Sequence, residues 1–549
     1  MLSCFLISDM MVKKNNNGKA MSTILEHWSH PTSPPRDTQI RALEWLEQQT
    51  AKYLILEAPV GAGKSHIGIT YANYIQSPDQ RKSFVLTPQK ILQKQYEDSF
   101  PRNRVFSFYG KSNYNCAPHK TTCDIGSLVK PQCEFCPYRG AKEIAKYSPH
   151  VILNYKLALL SFMYAGVFKP RPLMILDECH NSEQELCELD AIEVSEARCK
   201  RYGIKFQAAR NIREAIDWIR DAYLPIIIEK AKELADKTDE LRSGMMDRNP
   251  TGAELNMLRE LNSLEEHCST IEWLVDSPVE QIQKDFALIY DKSNIKFKRL
   301  FAGFSFHHVL EPQAGQFLFM SSTVLNHKGF CQDLGLNYND SAFLTMDSEF
   351  PHENRPVIFI PTMKMNKDWH LDENRDGRDK MINAMSHILE MHENDSGIVH
   401  TASFAIAKWM TDALQTITSH EIMHHNPESG MKREKVIDMF KKSDKPCILF
   451  SPSITEGLDL VGDVARFAVF AKIPYPFLGD QWVFTRKLIS DEWYARQALI
   501  EVIQGGGRVV RSKTDWGFVY ILDSSWNFLM SKTRHTIPDW WMEAYKEMR

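Results

Sequence analysis

The stretch Leu54-Ile55-Leu56-Glu57-Ala58-Pro59-Val60-Gly61-Ala62-Gly63-Lys64-Ser65 constrains this chain more than any other. A short apolar run reads as a buried strand, enters a loop with two glycines, and leaves through Lys-Ser into an amphipathic run. That order is what a phosphate-binding loop requires. Gly61 and Gly63 let backbone N–H groups curl around phosphates, and the helix that follows adds its positive dipole. Lys64 would reach the β and γ phosphates, and Ser65 would hold Mg²⁺. The chain is therefore expected to bind a nucleoside triphosphate.

A length of 549 residues suggests three or four domains of ~150 residues each. No apolar run reaches the ~18 residues needed to span a bilayer, so no membrane association is expected. Residues 1–30 read as a disordered leader. The apolar start is short, is interrupted by Asp9 and lacks a basic lead, and Met10, Met11 and Met21 leave the true start open. Eleven cysteines without a secretory signal point to a reducing compartment, and so to metal or free-thiol use. The net charge of −4 argues against wholesale electrostatic binding of nucleic acid, though it permits a local basic track.

Arg36-Asp37-Thr38-Gln39 opens a helical pattern ahead of the first strand, and Gln39 could read a nucleobase edge or simply sit at a solvated helix start. Ser83–Thr87 is a second buried strand. Alternation of short strands with helices means parallel α/β layers, whose ligands lie at the carboxyl ends of strands, where Thr87 falls. Residues 106–140 break this pattern with Cys116, Cys123, Cys133 and Cys136, spaced C-x6-C-x9-C-x2-C. Thiolates at such spacing bind a metal or an iron–sulfur cluster, and tetrahedral Cys₄ also suits zinc. Residues 101–150 hold eight Lys/Arg against three acids, interleaved with Phe106, Phe108, Tyr109, Tyr114, Phe135, Tyr138 and Tyr147. Such a mixture suits single-stranded nucleic acid, or else a solvated face around a metal knuckle.

The α/β pattern resumes at His150–Tyr155, and Leu173–Leu176 runs into Asp177-Glu178-Cys179-His180. Asp177 at a strand end would bind Mg²⁺ through its water shell, and Glu178 would orient and deprotonate the attacking water. These acids lie more than a hundred residues beyond Lys64, so the cysteine segment is an insertion. From 181 to 294 glycine is scarce and apolar residues recur at helical spacing (Ile212, Ile216, Ile219; Leu255, Leu258, Leu261, Leu264), which predicts an inserted helical module broken by Pro225, Pro250 and Pro278. Strands at Gln316–Met320, Val357–Ile360, Gly397–His400, Cys447–Phe450, Phe467–Phe470 and Phe518–Leu522 follow. The last five predict a second parallel-sheet domain. It carries Thr455, Glu456 and Asp459, and then Gln504-Gly505-Gly506-Gly507-Arg508-Val509-Val510-Arg511. Three glycines between Gln and two arginines read poorly as packing. They read well if Arg508 and Arg511 reach a γ-phosphate bound on the other domain, the alternative being a basic helix end closing on glycine.

Assembled in order, these pieces resemble the XPD/DinG family of superfamily 2 helicases. The resemblance is carried by Glu57-Ala58-Pro59 ahead of the loop, Leu153-Asn154-Tyr155, Asp177-Glu178-Cys179-His180, Ser321-Ser322-Thr323 and Ser348-Glu349-Phe350. It continues through Glu456-Gly457-Leu458-Asp459, Lys472-Ile473-Pro474-Tyr475-Pro476, Gln504-x-x-Gly507-Arg508-x-x-Arg511 and Pro538-x-Trp540. It departs at Cys179 and Ser322, both standing for Ala, and in the compact cysteine spacing. The resemblance implies an α/β chain with two RecA-like parallel-sheet motor domains, the first interrupted by an iron–sulfur insertion and a helical arch. It divides the chain into the leader (1–30), a first motor domain (31–105, 141–182 and 295–325), a four-cysteine domain (106–140), the arch (183–294) and a second motor domain (326–549). It implies a [4Fe-4S] cluster on the four cysteines, with zinc as the alternative. ATP and Mg²⁺ would lie between Gln39, Gly61, Gly63, Lys64, Ser65, Asp177 and Glu178 on one side and Glu456, Asp459, Gln504, Arg508 and Arg511 on the other. Thr87, Asn154, Thr323 and Thr455 would contact DNA or couple it to the site. The implied activity is an ATP-dependent DNA helicase or translocase, a monomer moving 5′-to-3′ on single-stranded DNA and at duplex junctions. The implied compartment is the cytoplasm of a bacterium or of a virus-infected host. The rival is a nucleic-acid-dependent ATPase switch that clamps DNA or remodels a bound protein without unwinding.

Overall fold

The computed structural model describes residues 23–116, 121–129, 136–164, 166–244, 251–424, 433–452, 462–510 and 512–548. Among these residues no helix is long and apolar enough to cross a membrane. Two all-parallel seven-stranded sheets organise the chain. The first runs in the order Ser341–Thr345, Tyr53–Glu57, Ala314–Ser321, Arg171–Asp177, Ser83–Thr87, His150–Asn154 and Val105–Ser107. Its central strands are buried along nearly their whole length, as a parallel sheet covered on both faces demands. Glu57 pairs with Ser321 and Met320 with Asp177. That register brings the phosphate loop, the acidic pair and Ser321-Ser322-Thr323 to one edge of the sheet.

The second sheet runs Glu421–His424, Cys447–Ser451, Gly397–His400, Phe467–Phe470, Phe518–Asp523, Val357–Met363 and Tyr545–Glu547. The expected strands are all present. The boundary between the sheets differs from the expected one. Helix His327–Leu334 and strand Ser341–Thr345, expected in the second domain, belong to the first, where the strand pairs with Tyr53–Glu57. Every residue of that strand is only half-buried, so it lacks the apolar run that marks the others.

Two segments interrupt the first sheet, and their roots differ from those expected. Val105–Ser107 is the far edge strand of that sheet, so the cysteine segment departs after it. The buried Arg171 guanidinium holds the returning end of that segment. It donates to the carbonyls of Ala145, Ser148 and Pro149 at the close of helix Pro137–Tyr147. The arch is not purely helical. Ile192–Ser195, Asn294–Arg299 and Phe286–Tyr290 form a three-stranded antiparallel base. Helix Ser182–Leu189 packs into the first-domain core instead. Pro225 does not break the helical run from Ile212 to Gly244. A π turn over Ile219–Tyr223 precedes it and accommodates the N–H that proline lacks. Helix Gly252–Asp276 starts on a reciprocal cap between Thr251 and Glu254, and buries Leu258, Leu261 and Leu264 as the spacing predicts.

The second domain docks on the first through helices Gln481–Ile489 and Asp491–Gly506. Trp482 and Trp493 enter the first-domain core. Beside them Arg486, only 1% exposed, donates to Glu183 and to Asp333 (2.9 Å), Arg496 pairs with Asp333, and Trp493 Nε1 donates to Glu183 Oε2 (2.9 Å). Glu183 and the partly buried Asp333 thus face two buried arginines, so each charge lost leaves another uncompensated. Asp333→Ala is expected to cost about 3–5 kcal/mol, because two guanidiniums lose their shared carboxylate. Chemical denaturation with tryptophan fluorescence would read this as a lowered midpoint.

Candidate active site

Gly61 and Gly63 both take φ of 78°, in the left-handed region that the loop's curl needs. Gly63 has a second constraint, since a Cβ there would lie 2.4 Å from Gln39 Nε2. Gln39 is buried and donates to the Ala62 carbonyl (2.9 Å), while Arg36 Nη2 donates to the Gly61 carbonyl (2.9 Å). The placement makes Gln39 a clamp on the loop backbone. Arg36 is in turn held by Glu349, which also accepts from Thr38 and pairs with Lys513. Glu57 holds the strand end. Its carboxylate accepts the N–H groups of Val324 (2.8 Å) and Leu325 (2.7 Å) and the Thr345 hydroxyl (3.0 Å). Arg36, Glu57 and Glu349 were not expected as site residues. Glu57 and Glu349 stood in the family motifs, but their partners lie hundreds of residues away.

Lys64 Nζ lies 3.3 Å from Glu178 Oε1 at the carboxyl end of the sheet. Glu178 takes a φ of 48°, an uncommon conformation for a residue with a side chain, and one that turns the acid into the cleft. Burial raises the Asp177 carboxyl above the usual range, and the neighbouring Glu178 charge adds to it. Burial also opposes ionisation of Glu178, but the charges of Lys64 and His180 outweigh it and hold Glu178 below its ordinary value. The arrangement therefore keeps an ionised carboxylate beside the phosphate loop, in the protonation state a water-activating base needs. Asp177 Oδ1 accepts the Glu178 N–H (3.1 Å), and Oδ2 accepts the Tyr96 hydroxyl (3.0 Å). Tyr96 was not anticipated, because nothing in a helix sequence marks which core tyrosine backs a carboxylate. Ser65 and Asp177 face the same cleft and supply a hydroxyl and a carboxylate, the oxygen donors Mg²⁺ prefers.

The second domain closes the cleft. Helix Asp491–Gly506 brings Gln504 Nε2 to Ser322 Oγ (2.9 Å) and Thr323 Oγ1 (2.8 Å), and His180 Nδ1 contacts Ser321 Oγ (2.9 Å). Gly507 and Arg508 line the cleft with Gly61, Lys64, Ser65, Asp177 and Glu178, enclosing about 310 Å³. Gly507 also stands close to the facing domain. A Cβ on Gly507 would stand 3.0 Å from Val60 of the phosphate loop, so a larger residue there would have to push the Val60 side chain aside. Thr455, Glu456, Asp459 and Arg511 lie outside the described residues.

The candidates for nucleic-acid contact divide. Thr323 is buried and accepts from Gln504, so it joins the two domains and is not open to a strand. Thr87 is buried with its hydroxyl on the Gln89 carbonyl, and Asn154 caps the following helix at Leu157 N. In the cysteine segment Phe108 is fully buried in the first-domain core, and Tyr114 and Tyr138 pack against it, so these aromatics anchor the segment and are not free for stacking. The basic residues do face outward. Lys111, Arg139 and Lys142, with Arg198, line a groove of about 1060 Å³ between the cysteine segment and the arch helix at Ser263–Thr270. Phe135 lies outside the described residues.

Cys116, Cys123 and Cys136 line the same groove, while Cys133 lies outside the described residues. Cys123 and Cys136 stand 3.7 Å apart. Burial pushes the Cys123 thiol up to about 12. Burial works against the Cys136 thiolate too, but the N–H groups at the start of helix Pro137–Tyr147 and the bond from Cys123 hold it below the ordinary thiol value. Among the described residues no three such donors converge on one point. The 3.7 Å separation matches the edge of a tetrahedral thiolate site, about 3.8 Å for metal–sulfur bonds of ~2.3 Å. Thiolates that end on different irons of a cluster must stand further apart. The donor chemistry fits a thiolate-held centre of either kind, and the basic rim offsets its negative charge.

Residues 32–216 match the family model described as type III restriction enzyme, res subunit, and residues 385–544 match the helicase C-terminal domain. The ATP-dependent DNA helicase DinG of Photobacterium profundum is 27% identical over 246 residues, covering 42% of this chain and 34% of the relative. DinG of Escherichia coli K12 is 25% identical over 33% of this chain and 26% of its own length. The matches therefore span about a third or less of these relatives. Among solved structures an XPD helicase aligns over 93% of this chain and 99% of its own, with a TM-score of 0.59 and 15% identity. Xpd4 of S. tokodaii aligns over 94% and 100%, with a TM-score of 0.55 and 14% identity. These two likenesses establish the fold.

Glu178→Gln removes the basic carboxylate while keeping its shape. Nucleotide affinity, measured with a fluorescent analogue, is expected to hold within a few-fold. Phosphate release should fall by ~10²–10⁴, the range a general base supplies.

Proposed function

Because this chain belongs to the XPD/DinG family of superfamily 2 helicases, we propose that it is an ATP-driven motor that moves 5′-to-3′ on single-stranded DNA and separates duplexes. One observation carries the reading. Lys64, Asp177 and Glu178 on the first sheet and Gln504 and Arg508 on the second converge on a single cleft. A nucleotide bound there is contacted by both domains, so its hydrolysis alters what holds them together.

In this reading the γ-phosphate draws Lys64 away from Glu178, which frees that carboxylate to orient a water and take its proton. Mg²⁺ held through Ser65 and Asp177 would neutralise charge on the β and γ phosphates. Arg508, joined by Arg511, stabilises charge on the γ-phosphate from the second domain. Gln504, bonded to Ser322 and Thr323, couples the domains as the phosphate leaves. The strand runs through the basic groove between the cysteine segment and the arch, which suits a phosphate backbone. Cys116, Cys123, Cys133 and Cys136 would hold a [4Fe-4S] cluster once Cys123 and Cys136 move apart, and the cluster would pin that segment's fold. Zinc is the second reading, favoured by the 3.7 Å thiol pair.

Strand-displacement assays with 5′- and 3′-tailed duplexes test the motor. Unwinding of 5′-tailed substrates only, lost in Lys64→Ala, is the expected result. DNA-stimulated hydrolysis without displacement on either tail would favour a clamp or a remodelling switch. Iron, sulfide and zinc analysis of anaerobically purified protein should find four irons per chain, and one zinc without iron would replace the cluster by a single ion.

A further inference from the structure

Helix Lys90–Ser99 follows the strand that ends at Thr87, and it presents two different stripes. Gln89, Leu92 and Gln95 line the nucleotide cleft, with Tyr96 turned inward beside them. Lys90, Gln93 and Glu97 lie on the other stripe, at the spacing that places residues on one helix face. All three of these hold the place where the chain leaves the sheet for the cysteine segment. Lys90 Nζ donates to Asn113 Oδ1 (2.9 Å), and Gln93 Nε2 donates to the carbonyls of Phe108 and Ile152 (3.2 Å each). Glu97 Oε1 accepts the Tyr109 hydroxyl (3.1 Å).

Tyr96 is the inward end of this bridge. Its ring is 3% exposed, and its hydroxyl donates to Asp177 Oδ2 (3.0 Å). One phenol therefore backs the carboxylate that, with Ser65, offers oxygen to Mg²⁺. We propose that Tyr96 is a positioning residue for the magnesium end of the site, and that its helix links that site to the root of the cysteine segment. The inference rests on the ATPase reading above. Tyr96 fixes which Asp177 oxygen faces the ion, and a shift of the cysteine segment reaches that oxygen through a rigid helix of ten residues. An outer-shell partner of this kind typically sets metal affinity by ~10–100-fold.

The test uses Tyr96→Phe in the full chain, which keeps the ring and removes the hydroxyl. Mn²⁺ binding in the presence of ADP, followed by electron paramagnetic resonance, should weaken at least ~10-fold, with metal-free ADP affinity unchanged. The loss should vanish in an Asp177→Asn background, where the partner oxygen is gone. Glu97→Ala should bind Mn²⁺ like the parent yet lose most of the stimulation of ATP hydrolysis by single-stranded DNA. Unaltered Mn²⁺ affinity in Tyr96→Phe overturns the positioning role, and full stimulation in Glu97→Ala overturns the link. If the parent hydrolyses no ATP the motor reading fails, and the Mn²⁺ measurement still decides the role of Tyr96. Should Tyr96→Phe not fold, hydrogen exchange on the parent decides. Mg²⁺ with ADP must protect residues 90–99, and unchanged exchange there sinks the proposal.

Discussion

Everything at the nucleotide cleft depends on one helix whose two ends are both anchored to the opposite domain. Asp491–Gly506 is 16 residues long, or about 24 Å at the α-helical rise. Near its start Trp493 and Arg496 sit in the buried ion cluster with Glu183 and Asp333. At its end Gln504 reaches Ser322 and Thr323. Glu183 lies only a few residues beyond the acidic pair Asp177-Glu178, so the cluster and the cleft share one segment of the first domain. A stiff rod held at both ends places Arg508 against the phosphate loop with little freedom to wander.

Charge balance sets the terms on which this works. Around the loop, Lys64 offsets Glu178, and the buried Asp177 is served by Tyr96 and a backbone N–H. In the docking cluster two acids meet two guanidiniums. Neither group is a bargain in stability against an apolar core, because burying charge costs about what the pairing returns. What such groups give is a single geometry. A carboxylate shared between Arg486 and Arg496 fixes the angle at which two helices meet, which a greasy contact of equal area would leave looser.

Much of this was legible in the sequence where the signal is local. The phosphate loop needs its glycines within a few residues of its lysine, and buried parallel strands are short apolar runs, so Leu54–Ser65 and Leu173–Glu178 could be read directly. The half-buried edge strand Ser341–Thr345 carries no such run, so nothing local ties it to the first sheet, where it pairs with Tyr53–Glu57. The aromatics of the cysteine segment match a stacking surface in composition, but only their positions show that Phe108, Tyr114 and Tyr138 pack on one another. Pro225 looked like a breaker because a π turn, which relieves it, has no sequence signature. Glu57, Arg36 and Tyr96 act on partners distant in the chain, and a single sequence does not reveal pairings of that range.

The same docking surface extends to the arch. Trp482 Nε1 donates to the Arg299 carbonyl (2.6 Å) in the arch's basal sheet, and Lys298 lies over the Trp482 ring at 4.2 Å. One helical turn on, Arg486 meets Glu183. Helix Gln481–Ile489 therefore touches the arch base and the segment behind the acidic pair at once. Packed side chains do not stretch, so a rotation of the second domain about the cleft must either carry the arch base with it or repack this contact. The arch base is itself held to the first domain, with Ala287 in that domain's core and Arg299 paired with Asp190, so all three bodies meet at this one surface. In the proposed reading, a groove beneath the arch helix that follows this rotation would couple the nucleotide between the two sheets to a strand held elsewhere.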